Sequence, residues 1–187
     1  MSDAYFFGYG SLVNTQTHGF APVYRAKATG WRRGWRYTAA RKVAYLTAIR
    51  APGESIDGLI AAVPGEDWAA LDAREAAYDR IRASHEITHA ANATEIAIYA
   101  IAPDRLRMPD AEHPVLLSYL EVVLQGYLRV YGEAGAQAFI DTTDGWEAPF
   151  LDDRATPVYA RAQTLTADEK AFVFDALRAL DCRVLVP

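Results

Sequence analysis

Residues 5–12 combine a strand signal with a turn that could bind an anion. The stretch reads Tyr-Phe-Phe-Gly-Tyr-Gly-Ser-Leu, in which the aromatic half is typical of a buried strand and the second half of a turn. Gly8 and Gly10 are free to take positive φ angles. A strand that runs into such a turn can present consecutive backbone N–H groups to one point, which suits an anion or a developing oxyanion. The plainer interpretation is a strand and its turn without chemistry.

Glu75 is the side chain that could add acid–base chemistry to this turn. It lies 65 residues after Gly10, near the end of a predicted helix, in the sequence Leu-Asp-Ala-Arg-Glu. Taken alone, a glutamate at a helix end is usually a solvated surface charge. A carboxylate that reaches the turn could instead accept a proton and return it within one reaction. The two stretches therefore form a candidate site if the fold brings them together.

Residues His85–His89 spell a third candidate, the HExxH pattern of zinc hydrolases. On a helix, the two histidines would lie one turn apart and could bind zinc, with Glu86 as the general base. The flanking sequence favours a strand, in which the histidines would be about 13 Å apart and could not share a metal. No third ligand is obvious, although Glu112, His113 and Glu121 are available. We therefore expect two surface histidines and no metal site, with a zinc hydrolase as an alternative.

Composition and charge narrow the class of protein. The 187 residues, 51% hydrophobic and 23% charged, fit one folded domain over residues 1–187. The net charge of −5 argues against a nucleic-acid surface, and the basic run 32–36 is short and flanked by tryptophan. No apolar run approaches the roughly 18 residues of a membrane span, and the N-terminus lacks a signal-peptide pattern, so we expect a cytoplasmic protein. Cys182, the single cysteine, is interpreted as a packing residue.

Apolar runs after residue 26 predict further strands. They are expected over Lys27–Tyr37, Val43–Ile49, Ile56–Val63, Ile87–Thr88, Glu95–Ile101 and, as an edge strand, Val158–Thr164. A turn at Ala51–Glu54 would separate the strands at 43–49 and 56–63, and a turn at Ala91–Ala93 would join the strands at 87–88 and 95–101. Trp31 and Trp35 would lie on one side of the first strand.

Helical spacing and capping signals predict three main helices. The first begins at Pro64–Asp67, ends near Ala73 and delivers Glu75; its inward residues would be Trp68, Leu71 and Ala76. The second begins at Pro114 and is stopped by Gly132, and a shorter helix follows near residues 134–140. The last begins at a capping box, Thr166–Glu169, and runs to about Leu180. This succession predicts an α+β domain with a small, closed or nearly closed mixed sheet.

Three motifs in this order resemble the γ-glutamylcyclotransferase-like family. They are the strand that ends in Tyr-Gly-Ser, the Leu-Asp-x-x-Glu ending at Glu75 with Tyr78 after it, and the helix in which Tyr119 precedes Gly126 by seven residues. The resemblance touches residues 5–12, 56–80 and 114–126. Leu12 follows the serine, and leucine at this position is similar to the broader family and its glutathione-acting branch. Another branch has asparagine at this position. In other members of the family, the tyrosine that follows the glutamate lies further along the chain than Tyr78 does here.

The resemblance implies a fold and a reaction. The fold would be a small mixed β-barrel with surrounding helices and a cavity over the turn. The reaction would be cyclisation of a γ-glutamyl amino acid, amine or peptide to 5-oxoproline, in which the substrate's α-amine attacks its own γ-carbonyl. Because this attack is intramolecular, the enzyme mainly has to hold the attacking conformer. Such a transferase or lyase would require no metal or organic cofactor.

The resemblance also implies roles for particular residues. Glu75 would move the protons, and Gly10, Ser11 and Leu12 would hold the substrate's carboxylate or oxyanion through their backbone N–H groups. The remaining substrate-binding residues would be the pocket tyrosines Tyr9, Tyr78 and Tyr119. The expected partner is a small γ-glutamyl molecule rather than a nucleic acid or a membrane, and the sequence does not indicate an oligomeric state.

Two further interpretations stay open from the residues alone. The first is a small-molecule binding protein that keeps the pocket and lacks the chemistry, because a fold does not fix a function. The second is an interaction module that uses a surface formed by Trp31 and Trp35.

Overall fold

The computed structural model describes residues 4–186, apart from the side chain of Glu66. In that range the chain forms ten β-strands and three α-helices. The strands are β1 (Ala4–Gly8), β2 (Val23–Arg36), β3 (Tyr45–Val63), β4 (Asp79–Arg82), β5 (Ile87–His89), β6 (Glu95–Ala100), β7 (Val115–Leu116), β8 (Thr143–Asp144), β9 (Phe150–Leu151) and β10 (Val184–Leu185). The α-helices are α1 (Ala69–Arg74), α2 (Leu117–Asp141) and α3 (Ala167–Ala179). None of these helices combines the length and apolar character needed to cross a lipid bilayer.

Strand β1 lies inside a mixed seven-stranded sheet. The strand order is β4-β6-β1-β3-β2-β5, and β8 pairs with β2 outside this path. β1 is antiparallel to β3 and parallel to β6, and all five of its residues are buried. A strand covered on both faces needs apolar residues at successive positions, which explains its aromatic run. A second sheet consists of three short strands in the order β10-β9-β7.

The predicted α+β class, with a mixed sheet and surrounding helices, is confirmed. In residues 4–186 the outer strand β4 pairs with β6 and the outer strand β5 with β2, so strand pairing does not close the sheet into a barrel. The single domain over residues 1–187 stays a prediction.

Strands β2 and β3 form a long hairpin with a bulge. The separate strands expected over residues 43–49 and 56–63 belong to one strand, β3, which pairs with β2 along most of its length. Residues 51–54 bulge out opposite Gly30, and both Gly30 and Gly53 have positive φ angles, 84° and 88°. The prediction that a turn at residues 51–54 separates two strands is therefore wrong. Because pairing with β2 continues on both sides of it, the Pro-Gly signal produces a bulge instead of a chain reversal.

The two tryptophans of β2 belong to the core. Trp31 and Trp35 are 1% and 0% exposed, on the same inner side of the strand. The Trp35 ring meets the rings of Tyr119 and Trp146 edge to face, with centroid separations of 6.0 and 5.8 Å. Their predicted common side is confirmed. The alternative that these two tryptophans form an interaction surface is wrong, because both indole rings are covered by the protein itself.

The outer part of the sheet differs from the sequence prediction. β5 and β6 lie where strands are expected, but β5 pairs with β2 whereas β6 pairs with β1 and β4. The turn at 91–93 therefore does not form a hairpin. The sequence analysis misses β4, since residues 79–82 are mostly charged, as suits an outer strand. The edge strand expected over 158–164 is wrong; the segment has no strand pairing and part of it lines a cavity.

Helix α1 is short and ends where the sequence predicts. Its last residue is Arg74, so Glu75 follows the helix directly. Leu71 is fully buried and Trp68 is half-buried, as expected. Ala76, expected to face inward, is exposed because the helix has already ended before it.

The later helices follow the predicted capping signals with one shift. α2 begins at Leu117 instead of Pro114, because the two intervening residues are extended in β7. Gly132, with a φ of 72°, kinks α2 and separates its two helical parts. α3 begins at the predicted capping box, in which Thr166 and Glu169 exchange both hydrogen bonds.

Helix α2 approaches the backbone after the first turn at Gly126. A Cβ atom at Gly126 would lie 2.7 Å from the backbone nitrogen of Asn14 and 2.9 Å from its Cα. Both atoms are backbone, so neither can yield by a change of rotamer. The Asn14 side chain reinforces this approach, since its Nδ2 donates to the Val122 carbonyl at 3.0 Å and to Gln125 Oε1 at 2.9 Å.

We expect Gly126→Ala to lower the free energy of unfolding by about 1–3 kcal/mol, the usual cost of overpacking, despite the better helix propensity of alanine. Urea unfolding followed by circular dichroism measures this change. Gly19→Ala is the matched control, because a Cβ atom there meets nothing within 4 Å; it should change stability by less than about 1 kcal/mol. Equal effects of the two substitutions would contradict the close approach of α2.

Candidate active site

The turn after β1 is built by close approach rather than by positive φ angles. Residues Ser11–Val13 form a single 3₁₀ turn, and Gly10 has φ −129° and ψ −127°. Neither Gly8 nor Gly10 has a positive φ, so that expectation is wrong. A Cβ atom at Gly8 would lie 2.6 Å from Leu12 Cβ, and one at Gly10 would lie 2.9 Å from Tyr119 Oη. At Gly8 a side chain would not fit, whereas at Gly10 it would have to displace the side chains of Tyr119 and Leu46.

The turn leaves three consecutive backbone donors unused. Val13 N–H donates to the Gly10 carbonyl at 2.9 Å, which closes the turn. Within residues 4–186, the N–H groups of Gly10, Ser11 and Leu12 donate to no other group of the protein. Buried backbone donors in folded proteins are nearly always paired, so these three are available to a ligand or to water.

A buried arginine fixes the orientation of this turn. Arg33 of β2 is 0% exposed, and its Nε donates to the Tyr9 carbonyl at 2.9 Å. Its other nitrogens donate to Thr142 Oγ1 at 2.7 Å, to Tyr127 Oη at 2.6 Å and to the Asp57 carbonyl. The guanidinium also lies 5.1 Å from the centre of the Tyr127 ring. Carbonyl, hydroxyl and aromatic groups thus surround the charge and satisfy its donors.

This arrangement also directs the first free donor. The Tyr9 carbonyl and the Gly10 N–H belong to one planar peptide group and therefore point in opposite directions. Arg33 and the Tyr127 hydroxyl hold the carbonyl from the same side, at 2.9 and 3.0 Å. The Gly10 N–H therefore points away from Arg33, and Gly10 is one of the residues that line a small recess.

A second apolar cluster brings Glu75 to the turn. Leu71 of α1 and Leu12 of the turn pack in the same buried cluster, together with Phe6 and Tyr99. Glu75 follows one helical turn after Leu71, to whose carbonyl its N–H donates at 2.9 Å. The side chain of Glu75 is 16% exposed. The apolar cluster that includes both leucines thus helps to position a carboxylate near three backbone donors.

Arg74 holds the carboxylate of Glu75. Its Nε lies 3.1 Å from Glu75 Oε1, and its Nη1 donates to the Thr17 carbonyl at 2.9 Å. Its Nη2 is 3.5 Å from Ser11 Oγ, so the same guanidinium spans the carboxylate and the turn. The sequence analysis misses Arg74, since nothing in its spacing separates it from an exposed helical arginine.

The surroundings of Glu75 change its acidity. Burial raises the pKa of the Glu75 carboxyl above its ordinary value, and the positive charges of Arg74, Arg161 and Arg41 oppose that increase without cancelling it. A raised pKa makes this carboxylate a better proton acceptor than an exposed glutamate.

The three tyrosines near Glu75 stay protonated and differ in their hydrogen bonds. Burial raises the pKa of Tyr9, Tyr78 and Tyr119. Tyr9 Oη donates to the Tyr99 carbonyl at 2.5 Å, and Tyr78 Oη donates to the Leu46 carbonyl at 2.9 Å. These two hydroxyls therefore anchor the walls of the site. The Tyr119 hydroxyl interacts with the Ser11 side chain, next to the free amides.

Two adjoining cavities bring the predicted site residues together. A recess of about 30 Å³ is lined by Tyr9, Gly10 and Leu12, and a cavity of about 550 Å³ opens beside it. Four residues line both: Ser11, Glu75, Tyr78 and Tyr119. Every residue that the sequence analysis assigned to the site therefore borders one of the two cavities.

The larger cavity has further walls that the sequence analysis misses. One is the loop between β2 and β3, with Arg41 and Lys42; the other is residues 158–161, which include Arg161. The second wall is tied to the start of α2 by Asp153, which accepts from Ser118 N at 2.9 Å and from Val158 N at 2.9 Å. Both walls are irregular segments, in which no periodicity could mark the residues that face the cavity.

The HExxH pattern does not form the helical pair that a zinc hydrolase needs. Ile87–His89 is strand β5, and Glu86 accepts from Trp31 Nε1 at 2.8 Å and from Arg50 Nη1 at 2.6 Å. Among the described residues, no group of three or more His, Cys, Asp and Glu side chains is arranged to hold a metal ion. The motif is therefore a strand and its preceding turn, as the flanking sequence indicates.

Together, the fold and the site define an α+β protein with a buried carboxylate and free backbone donors in one cavity. Residues 6–119, more than half of the chain, match the model of the family described as gamma-glutamyl cyclotransferase, AIG2-like. The chain therefore belongs to this family, and the predicted resemblance is confirmed. A comparison with curated protein sequences gives no match.

Solved structures share the fold. One named gamma-glutamyl cyclotransferase and one of an uncharacterized protein from Homo sapiens are each 12% identical to this chain, with a TM-score of 0.57 over 93% of this chain and 99% of their own. A yeast gamma-glutamyl cyclotransferase specific to glutathione has a TM-score of 0.50 at 12% identity, over 96% of this chain and 97% of its own. At this identity the likeness concerns the fold.

We expect Arg33→Met to lower the free energy of unfolding by at least about 2 kcal/mol, because buried carbonyl and hydroxyl oxygens lose a charged donor. Chemical denaturation measures the loss. Lys27→Met, on the same strand, removes only an exposed ion pair with Asp57 and should cost less than about 1 kcal/mol. A similar small loss in both variants would show that Arg33 does not hold the turn.

Proposed function

We propose that this protein cyclises a γ-glutamyl compound to 5-oxoproline and releases the amine or amino acid bound to the γ-carbonyl. The family assignment supports this reaction class. The observation that carries the proposal is the position of Glu75, whose buried carboxylate lines the same cavities as the turn with three free backbone donors. Acyl transfer needs a proton acceptor and an oxyanion site close together, and this pair supplies both.

The proposed reaction forms one C–N bond and breaks another. Glu75 takes a proton from the substrate's α-ammonium group, and the free amine attacks the γ-carbonyl carbon of the same molecule. The carbonyl oxygen becomes an oxyanion, and the five-membered ring is complete. When the oxyanion collapses, the bond to the leaving nitrogen breaks and Glu75 returns its proton to that nitrogen. The ring nitrogen, which carries one surplus proton after the attack, loses it to Glu75, which releases it to solvent. The products are 5-oxoproline and a free amine, and neither a metal ion nor an organic cofactor enters these steps.

The turn and the tyrosines would hold the substrate in the attacking conformer. Backbone N–H groups of Gly10, Ser11 and Leu12 would bind the α-carboxylate or the oxyanion, as donors that are already fixed by Arg33 and the 3₁₀ turn. Tyr119 would add a hydroxyl beside them, whereas Tyr9 and Tyr78 would shape the walls. The rings would limit the access of water to the γ-carbonyl, which would favour attack by the substrate's own amine over hydrolysis.

We expect Glu75→Gln to lower kcat by about 10²- to 10⁴-fold, the range for loss of a general acid–base group. Release of 5-oxoproline from γ-glutamyl amino acids, γ-glutamyl amines and glutathione, followed by liquid chromatography, measures the loss. Glu95→Gln is the matched control, since Glu95 is exposed at the start of β6 and lines neither cavity. Wild-type protein that binds these compounds without converting any of them would be a binding protein on the same fold.

The pH dependence separates the acid–base role from a purely structural one. Glu75 must be ionised to accept the proton, so kcat/KM should fall as the pH is lowered through its pKa. Because burial raises that pKa, the fall should begin above the pH range of an exposed glutamate. The residual activity of Glu75→Gln should lack this fall. A residual activity with the same acid limb would remove Glu75 from the proton transfer.

A further inference from the structure

The larger cavity has a strong excess of positive charge. Its lining includes four cationic side chains, Arg41, Lys42, Arg74 and Arg161, and a single carboxylate, Glu75. The chain as a whole carries a net charge of −5, so this excess is local. A γ-glutamyl group brings one α-carboxylate and one α-ammonium and cannot balance it.

Three of these cations have no carboxylate partner in the protein. Arg74 pairs with Glu75, whereas Arg41, Lys42 and Arg161 form no ion pair within residues 4–186. They are exposed at the cavity wall. Elsewhere on the described surface, half of the arginines do have acidic partners, as Arg129 has Glu169 at 2.7 Å.

The two walls that carry these cations come from separate parts of the chain. Arg41 and Lys42 lie in the loop between β2 and β3, where the Arg41 guanidinium is 5.7 Å from the centre of the Tyr45 ring. Arg161 lies beyond the residues that match the family, 6–119. Its segment is fixed by Asp153 and by the edge-to-face contact of Tyr159 with Tyr119 at 5.0 Å. Both arginines are near enough to act electrostatically on Glu75.

The volumes divide the site into two parts. The recess at the turn is about 30 Å³, whereas the larger cavity is about 550 Å³, within the range of roughly 300–1,000 Å³ typical of small-molecule sites. In the proposed reaction the γ-carbonyl lies beside Glu75, which lines both parts. The leaving group then extends into the larger cavity, toward the unpaired cations.

We propose that Arg41 and Arg161, assisted by Lys42, bind a carboxylate on the leaving group, and so select γ-glutamyl amino acids and peptides over γ-glutamyl amines without a carboxylate. This inference rests on the cyclisation proposed above. An arginine pairs with a carboxylate through two parallel N–H groups, which gives orientation as well as charge. The carboxylate would hold the leaving nitrogen near Glu75 for its reprotonation.

The test compares γ-glutamyl-alanine with γ-glutamyl-alaninamide, which differ only in a carboxylate and a carboxamide. We expect wild-type kcat/KM for 5-oxoproline release to favour the alanine compound by about tenfold or more, the scale of a charge-assisted hydrogen bond. Arg41→Gln and Arg161→Gln should each reduce this ratio, and the double variant should bring it close to one. The ratio should also fall with added NaCl, because exposed charges are screened.

Two controls separate charge from fold. Arg178→Gln, on α3 and away from both cavities, should leave the ratio unchanged. Arg161→Lys should keep part of the preference, since it retains the charge and loses the two-point geometry. Melting temperatures of the Arg41 and Arg161 variants should match wild type, because both side chains are exposed.

The possible outcomes distinguish this inference from the proposed reaction. A wild-type ratio near one, or a ratio unchanged in the double variant, overturns the leaving-group site and leaves cyclisation intact. No 5-oxoproline from either compound overturns the reaction. In that case calorimetric titration of Glu75→Gln with the same two ligands decides the inference, which predicts tighter binding of the alanine compound. Equal affinities, or no binding, overturn it.

Discussion

The site depends on the burial of Arg33, a positive charge that has no buried acidic partner among the described residues. The guanidinium of Arg33 is enclosed by the sheet and α2, and oxygen atoms from the turn, from β3 and from Thr142 satisfy its donors. A charge in this position is costly unless each donor is paired. Burial of Arg33 therefore requires these oxygens, and the carbonyl of Tyr9 is one of them. The hydrogen bond from Arg33 orients the backbone at the start of the turn.

Charge placement and apolar packing together produce a small reactive centre. Leu12 and Leu71 share one cluster, and Arg74 at the end of α1 reaches the turn with its guanidinium. Around the resulting hollow, cations outnumber carboxylates, so anionic groups are favoured there although the chain is acidic overall. Glu75 is the exception: burial raises the pKa of its carboxyl group, and the neighbouring arginines oppose that increase. A carboxylate in such a balance is ready to change its protonation state during a reaction.

The sequence predicts those parts of the site that are local. A strand that ends in glycine, tyrosine and serine, a helix end that delivers Glu75, and the capping box of α3 depend on neighbours within a few positions. The remainder depends on contacts between distant segments. Arg33 lies in a basic run that has the composition of a surface, and its burial follows only from the oxygens that surround it. Arg41 and Arg161 lie in irregular segments, in which the directions of the side chains follow no regular period along the sequence. Their position at the cavity wall therefore cannot be read from spacing.

The central claim is that the amides of the first turn and the carboxylate of Glu75 bind opposite ends of one small molecule. Titration of ¹⁵N-labelled protein with the product, 5-oxoproline, tests it directly by nuclear magnetic resonance. The account predicts large shifts of the amide signals of Gly10, Ser11 and Leu12, with Glu75→Gln changing the affinity and with Gly132, remote on α2, unaffected. Shifts confined to other parts of the chain, or a saturable interaction that leaves these three amides unchanged, would contradict it.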